Sequence, residues 1–421
     1  MGPANAATSP AGRCVNARVI SVLLQPTLMN PARVAILGAV RTPIGKFLGM
    51  FSQVSPITLG SIAVVEALRR AGTSAEDIEE FLFGCAIQAG LGQNPARQVA
   101  LASGAKVDRG AVTINMVCGS GMKSFMMGAD LIRSGERNLV VVGGMESMSR
   151  APYLAPGVRE GVRYGDSSLQ DAMLQDSLLD AYDHLHMGRT GEDVARRYGI
   201  TREEADAFAL RSNRKAVEAL NRGETGKEIV PVPASVTKAG EASRDEGPRP
   251  DTTLEKLAKL KRAFAPDGVL TAGNASQLSD GSAALVLASA EWVERTGKTP
   301  IAWFHSSGTG GVPPSRVMEA PIPTVKEHLA RTGLSIADID LVEHNEAFST
   351  ASIAVQRALE IQENRFNVNG GAVALGHPIG CSGARIIVTL LNAMQHRKAQ
   401  RGLATLCMGG GNGLSVIVEA P

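Results

Sequence analysis

Residues 70–84 and 331–345 of this chain follow one pattern, with Arg70, Gly72, Ser74, Asp77 and Ile78 standing opposite Arg331, Gly333, Ser335, Asp338 and Ile339. Self-similarity of this kind constrains the fold before any other feature, because each copy must form the same supersecondary unit. An amphipathic stretch precedes each glycine (59–70 and 323–331) and a short apolar run follows it. That reads as a helix stopped at a glycine cap and followed by a strand. At the same spacing Gly119 falls opposite Gly380, so the loop around Cys118 corresponds to the loop around His377 and Cys381. Further on, the apolar runs 139–142 and 403–407 each lead into a glycine cluster. Alternating strands and helices predict an α/β fold of two mixed, mainly parallel sheets covered by helices, with functional loops at the C-terminal ends of strands.

With 421 residues the chain exceeds the usual size of one core. The expected units are an N-terminal extension (1–30), a first half (31–298) containing a polar, proline-punctuated loop domain at about 151–272, and a second half (299–421). Basic and acidic residues nearly balance at 43 and 41, which gives no one-signed field for nucleic acid or a membrane surface and leaves a small molecule as the expected partner. No apolar run approaches the ~20 residues that span a bilayer. Cys14, Cys85, Cys118, Cys381 and Cys407 form no CxxC pair, as expected of reduced thiols in a cytoplasmic protein. Residues 1–33 contain Arg13 and Arg18 and no acid, which leaves an organellar transit peptide as the alternative to an ordered extension.

Four segments carry residues fit for chemistry. In 115–124, Cys118 follows an apolar strand and precedes an apolar helix, where unpaired N–H groups and flanking glycines favour a thiolate and let a substrate approach the backbone. Alone, such a cysteine is more often a small core residue than a nucleophile, and only the distant motifs reverse that reading. In 370–385, His377 sits among glycines, held by Pro378, and beside a thiol it can act as the base of a nucleophilic pair; the alternative is a histidine capping its own helix. In 405–413, Cys407 ends an apolar strand at a glycine run, so its thiol is expected exposed at a sheet edge as a second acid–base group. The backbone N–H groups of that run are free to stabilise an oxyanion, at ~2.7–4 kcal/mol per donor. Residues 343–348 read as the start of a helix, in which Asn345 either orients a water and donates to an oxyanion or serves as the helix N-cap.

Taken together, VCGSGMKS (117–124), GGMESMSRAPY (143–153), NEAF (345–348), GGAVALGHPIGCSGAR (370–385) and CMGGGNG (407–413) resemble, in order and spacing, the motifs of the thiolase family, the acetyl-CoA acetyltransferases and 3-ketoacyl-CoA thiolases. The resemblance runs from about residue 34 to 419. It implies a duplicated five-layer αβαβα fold, a homodimer or homotetramer, and a reaction through a cysteine acyl-enzyme: thiolytic cleavage of a 3-ketoacyl-CoA or Claisen condensation of acetyl-CoA. Cys118 would carry the acyl group, His377 would take its proton, and Cys407 would shuttle the substrate α-proton. His377 and an Asn345-held water would form one oxyanion hole, and the N–H groups of Cys118 and Gly409 the other. Coenzyme A enters as substrate, with no permanently bound cofactor or metal. Ser276 matches the position that contacts pantetheine, Phe264 and Met187 match pocket positions, and Arg249 matches a position near the nucleotide, although by itself it reads equally as a solvated charge. His186 beside Met187 resembles the stretch found in short-chain enzymes. The segment 308–323 departs from the short-chain pattern by greater length, beside the substrate pocket.

Three other readings compete. A decarboxylating condensing enzyme on the same scaffold would lack Cys407, a catalytically silent thioester-binding protein would not need four chemical residues, and a zinc site would recruit Cys118, His377 and Cys407.

Overall fold

The computed structural model describes Gly2 and residues 32–237 and 240–421, so that the N-terminal extension lies, apart from Gly2, outside the described residues. In the first half the strands are β1 (Val34–Arg41), β2 (Gly45–Lys46), β3 (Glu80–Gly84), β4 (Gly110–Ile114) and β5 (Leu139–Ser147). A two-stranded ladder, β6 (Tyr153–Leu154) with β7 (Gln170–Asp171), lies apart from the main sheet, and β8 (Ser279–Ser289) returns to it. The second half contributes β9 (Ala302–Gly311), β10 (Leu341–His344), β11 (Arg401–Met408) and β12 (Asn412–Glu419). The helices used below are α1 (Pro56–Ala71), α2 (Pro95–Ala102), α3 (Ser120–Arg133), α4 (Met187–Tyr198), α5 (Arg202–Asn221), α6 (Leu254–Ala258), α7 (Ala290–Thr296), α8 (Pro321–Thr332), α9 (Ser349–Ala358), α10 (Ala372–Leu375) and α11 (Ile379–Arg397).

The repeat is visible as local structure. Both α1 and α8 begin at a proline, whose missing N–H costs nothing in a first turn, and both end at a left-handed glycine: Gly72 at φ 64° and Gly333 at φ 71°. A strand follows each, β3 and β10, and each of these pairs in parallel with the strand that ends in the glycine cluster, β5 and β11. Their outer neighbours correspond too, since β3 pairs in parallel with β4 while β10 is bridged in parallel at Val342–Phe366.

Nine strands run in the order β10-β11-β12-β9-β1-β8-β5-β3-β4, and β2 pairs with β8. The two half-sheets are joined edge to edge where Val34, Ala35 and Ile36 pair with Phe304, Trp303 and Ala302, and the expectation of mainly parallel pairing changes, since most ladders are antiparallel. The sheet is mixed, and its parallel pairs are confined to the outer strands of each half. The physical reason is plain at β11 and β12: three glycines join them, and so short a connection only joins antiparallel neighbours.

Helices α3 and α11 pack on each other and form the central layer, α3 against β3, β5 and β8, α11 against β5 and β8 on one side and β10 and β11 on the other. Phe125 of α3 meets Phe304 of β9 edge-on at 5.7 Å, tying that layer to the second half. Outside, α1 covers β1, β5 and β8, α2 packs on β3 and β4, and α8 covers β9 and β12. The five layers αβαβα are therefore present. Residues between β5 and β8 belong to the first half by sequence, yet α4 packs on α9, and α5 packs on α9 and α10, all in the second half. Buried Arg41 at the end of β1 reaches back to the same segment, bonding Asp245 at 2.7 Å and Glu228 at 2.6 Å.

Candidate active site

The two corresponding loops meet at the N-terminal ends of the paired central helices. Val117, at φ 49°, turns the chain just before Cys118, and Ser120 Oγ closes this turn by accepting from Met116 N at 2.9 Å and donating to Val117 O at 2.6 Å. Cys118 thereby sits above α3, half-buried. From the other half, His377 precedes α11 and brings its Nε2 to 3.3 Å from the Cys118 sulfur.

Hydrogen bonds fix the state of that imidazole. Ser382 Oγ donates its only proton to Pro378 O at 2.9 Å, so it accepts from His377 Nδ1–H at 2.5 Å. Nε2 then carries the lone pair that faces Cys118. Burial, followed by the nearby Arg385 guanidinium, pushes the His377 pKa down to about 3, which keeps the ring neutral. Asn345 Nδ2 lies 3.4 Å from the same Nε2, and Arg385 donates to Asn345 Oδ1 at 3.4 Å while pairing with Glu343 at 3.0 Å. The guanidinium thus decides which end of the Asn345 amide faces the imidazole.

Two expectations change at the thiols. A helix N-terminus was expected to favour the Cys118 thiolate, but burial and the neighbouring Cys407 push its pKa up to about 12, outweighing the lowering by the backbone N–H groups of Gly409 and Cys118. The resting pair is a neutral thiol beside a neutral imidazole. Cys407 was expected exposed at a sheet edge; β11 is instead flanked by β10 and β12, the residue is 3% exposed with Met318 Sδ 3.8 Å from its sulfur, and burial pushes its pKa up to about 12. The expected helix at 343–348 also differs. Glu343 and His344 end β10, and α9 starts only at Ser349 with Phe348 as its cap, so Asn345 is no helix cap and its side chain is left for His377.

An inner cavity of about 50 Å³ holds Cys118, His377, Cys407 and Gly409 with Met187, Ser276 and Met318. An outer cavity of about 440 Å³ shares Leu178, Ser276, Phe348, His377 and Ile379 with it and opens past His186, Phe264 and Arg249. His186 caps α4, accepting from Gly188 N at 3.0 Å, and stacks on Phe264 at 5.0 Å; burial lowers its pKa. Asn213 Oδ1 accepts from Arg249 N at 2.9 Å and holds that loop at the mouth. Motif reading thus named residues along the whole path. It missed Ser382 and Arg385, which act through His377 and Asn345, and Met318, which lies in the segment marked only for its length. Among the described residues no group of three His, Cys, Asp or Glu side chains is arranged to hold a metal ion.

A duplicated α/β fold with a thiol–imidazole pair and a second thiol at the seam defines an acyltransferase architecture. Family models confirm which one: the thiolase N-terminal domain matches residues 34–291 and the thiolase C-terminal domain matches 298–420. The chain is 47% identical over 386 residues to an acetyl-CoA acetyltransferase of Escherichia coli (strain K12) and 46% identical over 386 residues to one of Pseudomonas aeruginosa, covering 91% of this chain and 98% of each relative. Against that of Cupriavidus necator it is 45% identical over 388 residues, covering 92% of this chain and 99% of the relative. The chain belongs to the thiolase family of acyltransferases.

Proposed function

We propose that this protein moves short acyl groups between coenzyme A thioesters through an acyl-enzyme on Cys118. In the cleavage direction, the Cys118 proton passes to His377 Nε2 as sulfur attacks the 3-keto carbon. The C2–C3 bond then breaks and the acetyl-CoA carbanion takes a proton from Cys407. Coenzyme A thiol next attacks the acyl-Cys118 thioester, giving its proton to the Cys407 thiolate, and Cys118 leaves as a thiolate that recovers its proton from His377. Condensation is the reverse, with Cys407 as the base for the α-proton. The N–H groups of Cys118 and Gly409 stabilise the oxyanion of the acyl-transfer steps, and His377 with Asn345 that of the enolate.

The observation that carries this reading is the 3.3 Å approach of His377 Nε2 to the Cys118 sulfur in a cavity that also holds Cys407. Short acyl groups are favoured by the small inner cavity and by the names of the relatives. The coenzyme A chain would follow the outer cavity past Ser276 and Phe264, with Arg249 at its phosphate end. The outer edge of β4 has no strand partner among the described residues, which supports a homodimer or homotetramer. Incubation with acetyl-CoA followed by peptide mass spectrometry tests the reading: an acetyl group on Cys118 is expected. An unmodified Cys118 peptide under conditions where coenzyme A binds would favour a silent thioester-binding protein.

A further inference from the structure

Glu146, the penultimate residue of β5, is fully buried and touches neither cavity. Its carboxylate nevertheless accepts four hydrogen bonds from two regions that serve the reacting pair. Gly380 N, in the first turn of α11 three residues after His377, donates at 2.9 Å. From the loop after β3, Ala86 N donates at 3.1 Å, Ile87 N at 3.3 Å and the Cys85 thiol at 3.8 Å. Burial pushes the Glu146 pKa up to about 7 against the lowering by these N–H groups, and in its ionised form the carboxylate complements the dipole of α11. The same Ala86 peptide continues the path: its carbonyl accepts from Asn115 Nδ2 at 3.2 Å, and Asn115 Oδ1 accepts from Val117 N at 3.0 Å, one residue before Cys118.

The segments around Glu146 have no slack. A Cβ on Gly380 would lie 2.8 Å from Ala86 N, from Cys85 Cα and from Met145 O. A shift of the 85–87 loop is therefore passed directly to the start of α11. Glu146 packs against the 85–87 loop and α11, and the charged or titratable groups that bear on it are Cys85, Cys118 and Cys381.

We propose that Glu146 and Asn115 are positioning residues that link the two halves and set the separation between Cys118 and His377. The proposal rests on the reading of Cys118 as the acyl carrier. A displacement of about 1 Å between reacting groups can cost about 10²-fold in rate. Glu146→Gln replaces one acceptor oxygen with an amide that cannot accept from backbone N–H groups, and Asn115→Ala cuts the second joint at an exposed residue, where little packing is lost.

Single-turnover acetylation of Cys118 by acetyl-CoA, followed by intact mass, is measured beside coenzyme A affinity by calorimetry and the melting temperature. The expected result is acetylation slowed by about 10²-fold in Glu146→Gln and by about tenfold in Asn115→Ala, with coenzyme A affinity within about twofold of the unaltered protein. A purely structural role would lower the melting temperature and leave the acetylation rate of the folded fraction unchanged. If Glu146→Gln fails to fold, Asn115→Ala decides. Normal acetylation in Asn115→Ala, or in folded Glu146→Gln, overturns the link while leaving Cys118 as carrier; an unaltered protein that is never acetylated overturns the carrier assignment and the link with it.

Discussion

At the scale of single residues, the site is organised around one proton held in readiness. Ser382 keeps His377 in the tautomer that can receive it, and Arg385 keeps the Asn345 amide facing the same nitrogen. Ser382→Ala removes the acceptor for Nδ1–H and frees the other tautomer. One hydrogen bond is worth about 1 kcal/mol, so kcat should fall about fivefold or more while KM stays near its starting value. Steady-state thiolysis kinetics check it, and an equal rise in KM would point to a binding role instead. The pKa directions lead to a second expectation. With Cys118 pushed up to about 12 and His377 down to about 3, the thiolate fraction of the free protein rises with pH through the whole neutral and alkaline range, and no imidazolium is present to hold a thiolate near neutrality. Labelling of Cys118 by iodoacetamide, read at the peptide, should therefore quicken about tenfold per pH unit from about pH 7 to 10. A plateau already reached near pH 7 would show a preformed thiolate–imidazolium pair.

At the scale of elements, the sheet ends and the loops after them do the placing. The turn Pro314–Glu319, after β9, brings Val317 and Met318 into the inner cavity, and Met318 meets Cys407 across it. Met318→Ala should enlarge the space beside the acyl carrier. A methylene in an apolar pocket is worth about 1–3 kcal/mol, so kcat/KM for 3-ketohexanoyl-CoA relative to acetoacetyl-CoA should rise about tenfold or more. An unchanged ratio would place the chain-length limit elsewhere, and some stability should be lost whichever way the ratio moves. The difference between Met318 and Cys407 also shows what the sequence made legible. Helix, glycine cap and strand follow from local periodicity and repeat along the chain, so the layers could be read from them. Cys118, His377 and Cys407 stand in motifs whose glycines mark them. Arg385, Ser382 and Glu146 stand in motifs as well, yet nothing local says what they act on: Arg385 meets Asn345 40 positions away, Met318 meets Cys407 89 away, Glu146 meets Gly380 234 away, and Ser382 acts through one oxygen on His377. Edge pairing of β1 with β9 was hidden for the same reason: either strand reads alike as an edge or an interior strand.

At the scale of the whole molecule, the two halves approach one another backbone to backbone, and glycine makes this possible. Gly84, Gly121, Gly144, Gly380 and Gly383 crowd the place where α3 and α11 cross beside the site; a Cβ on Gly144 would lie 2.3 Å from Gly380 O, and one on Gly121 2.7 Å from Ala384 N. The glycines of the motifs around Cys118 and His377 are therefore packing residues as much as loop residues. Gly383→Ala separates this cause from helix propensity because the two act with opposite signs. Gly383 lies within α11, where alanine is the better helix former by about 1 kcal/mol, so propensity alone would stabilise the variant. Its Cβ would stand 2.3 Å from Met122 N, a main-chain atom of α3 that cannot swing aside, and overpacking of that kind costs about 1–3 kcal/mol. The outcome should be a lower urea midpoint together with a lower kcat, since pushing α3 away from α11 moves Cys118 away from His377. Gly226→Ala, with nothing within 4 Å of the new methyl group, is the clash-free control and should leave kcat unchanged and the urea midpoint equal or slightly raised. A Gly383→Ala variant that melted later than the unaltered protein would mean that the central helices have room to spare, and that closeness at the seam is not what holds the two reacting loops together.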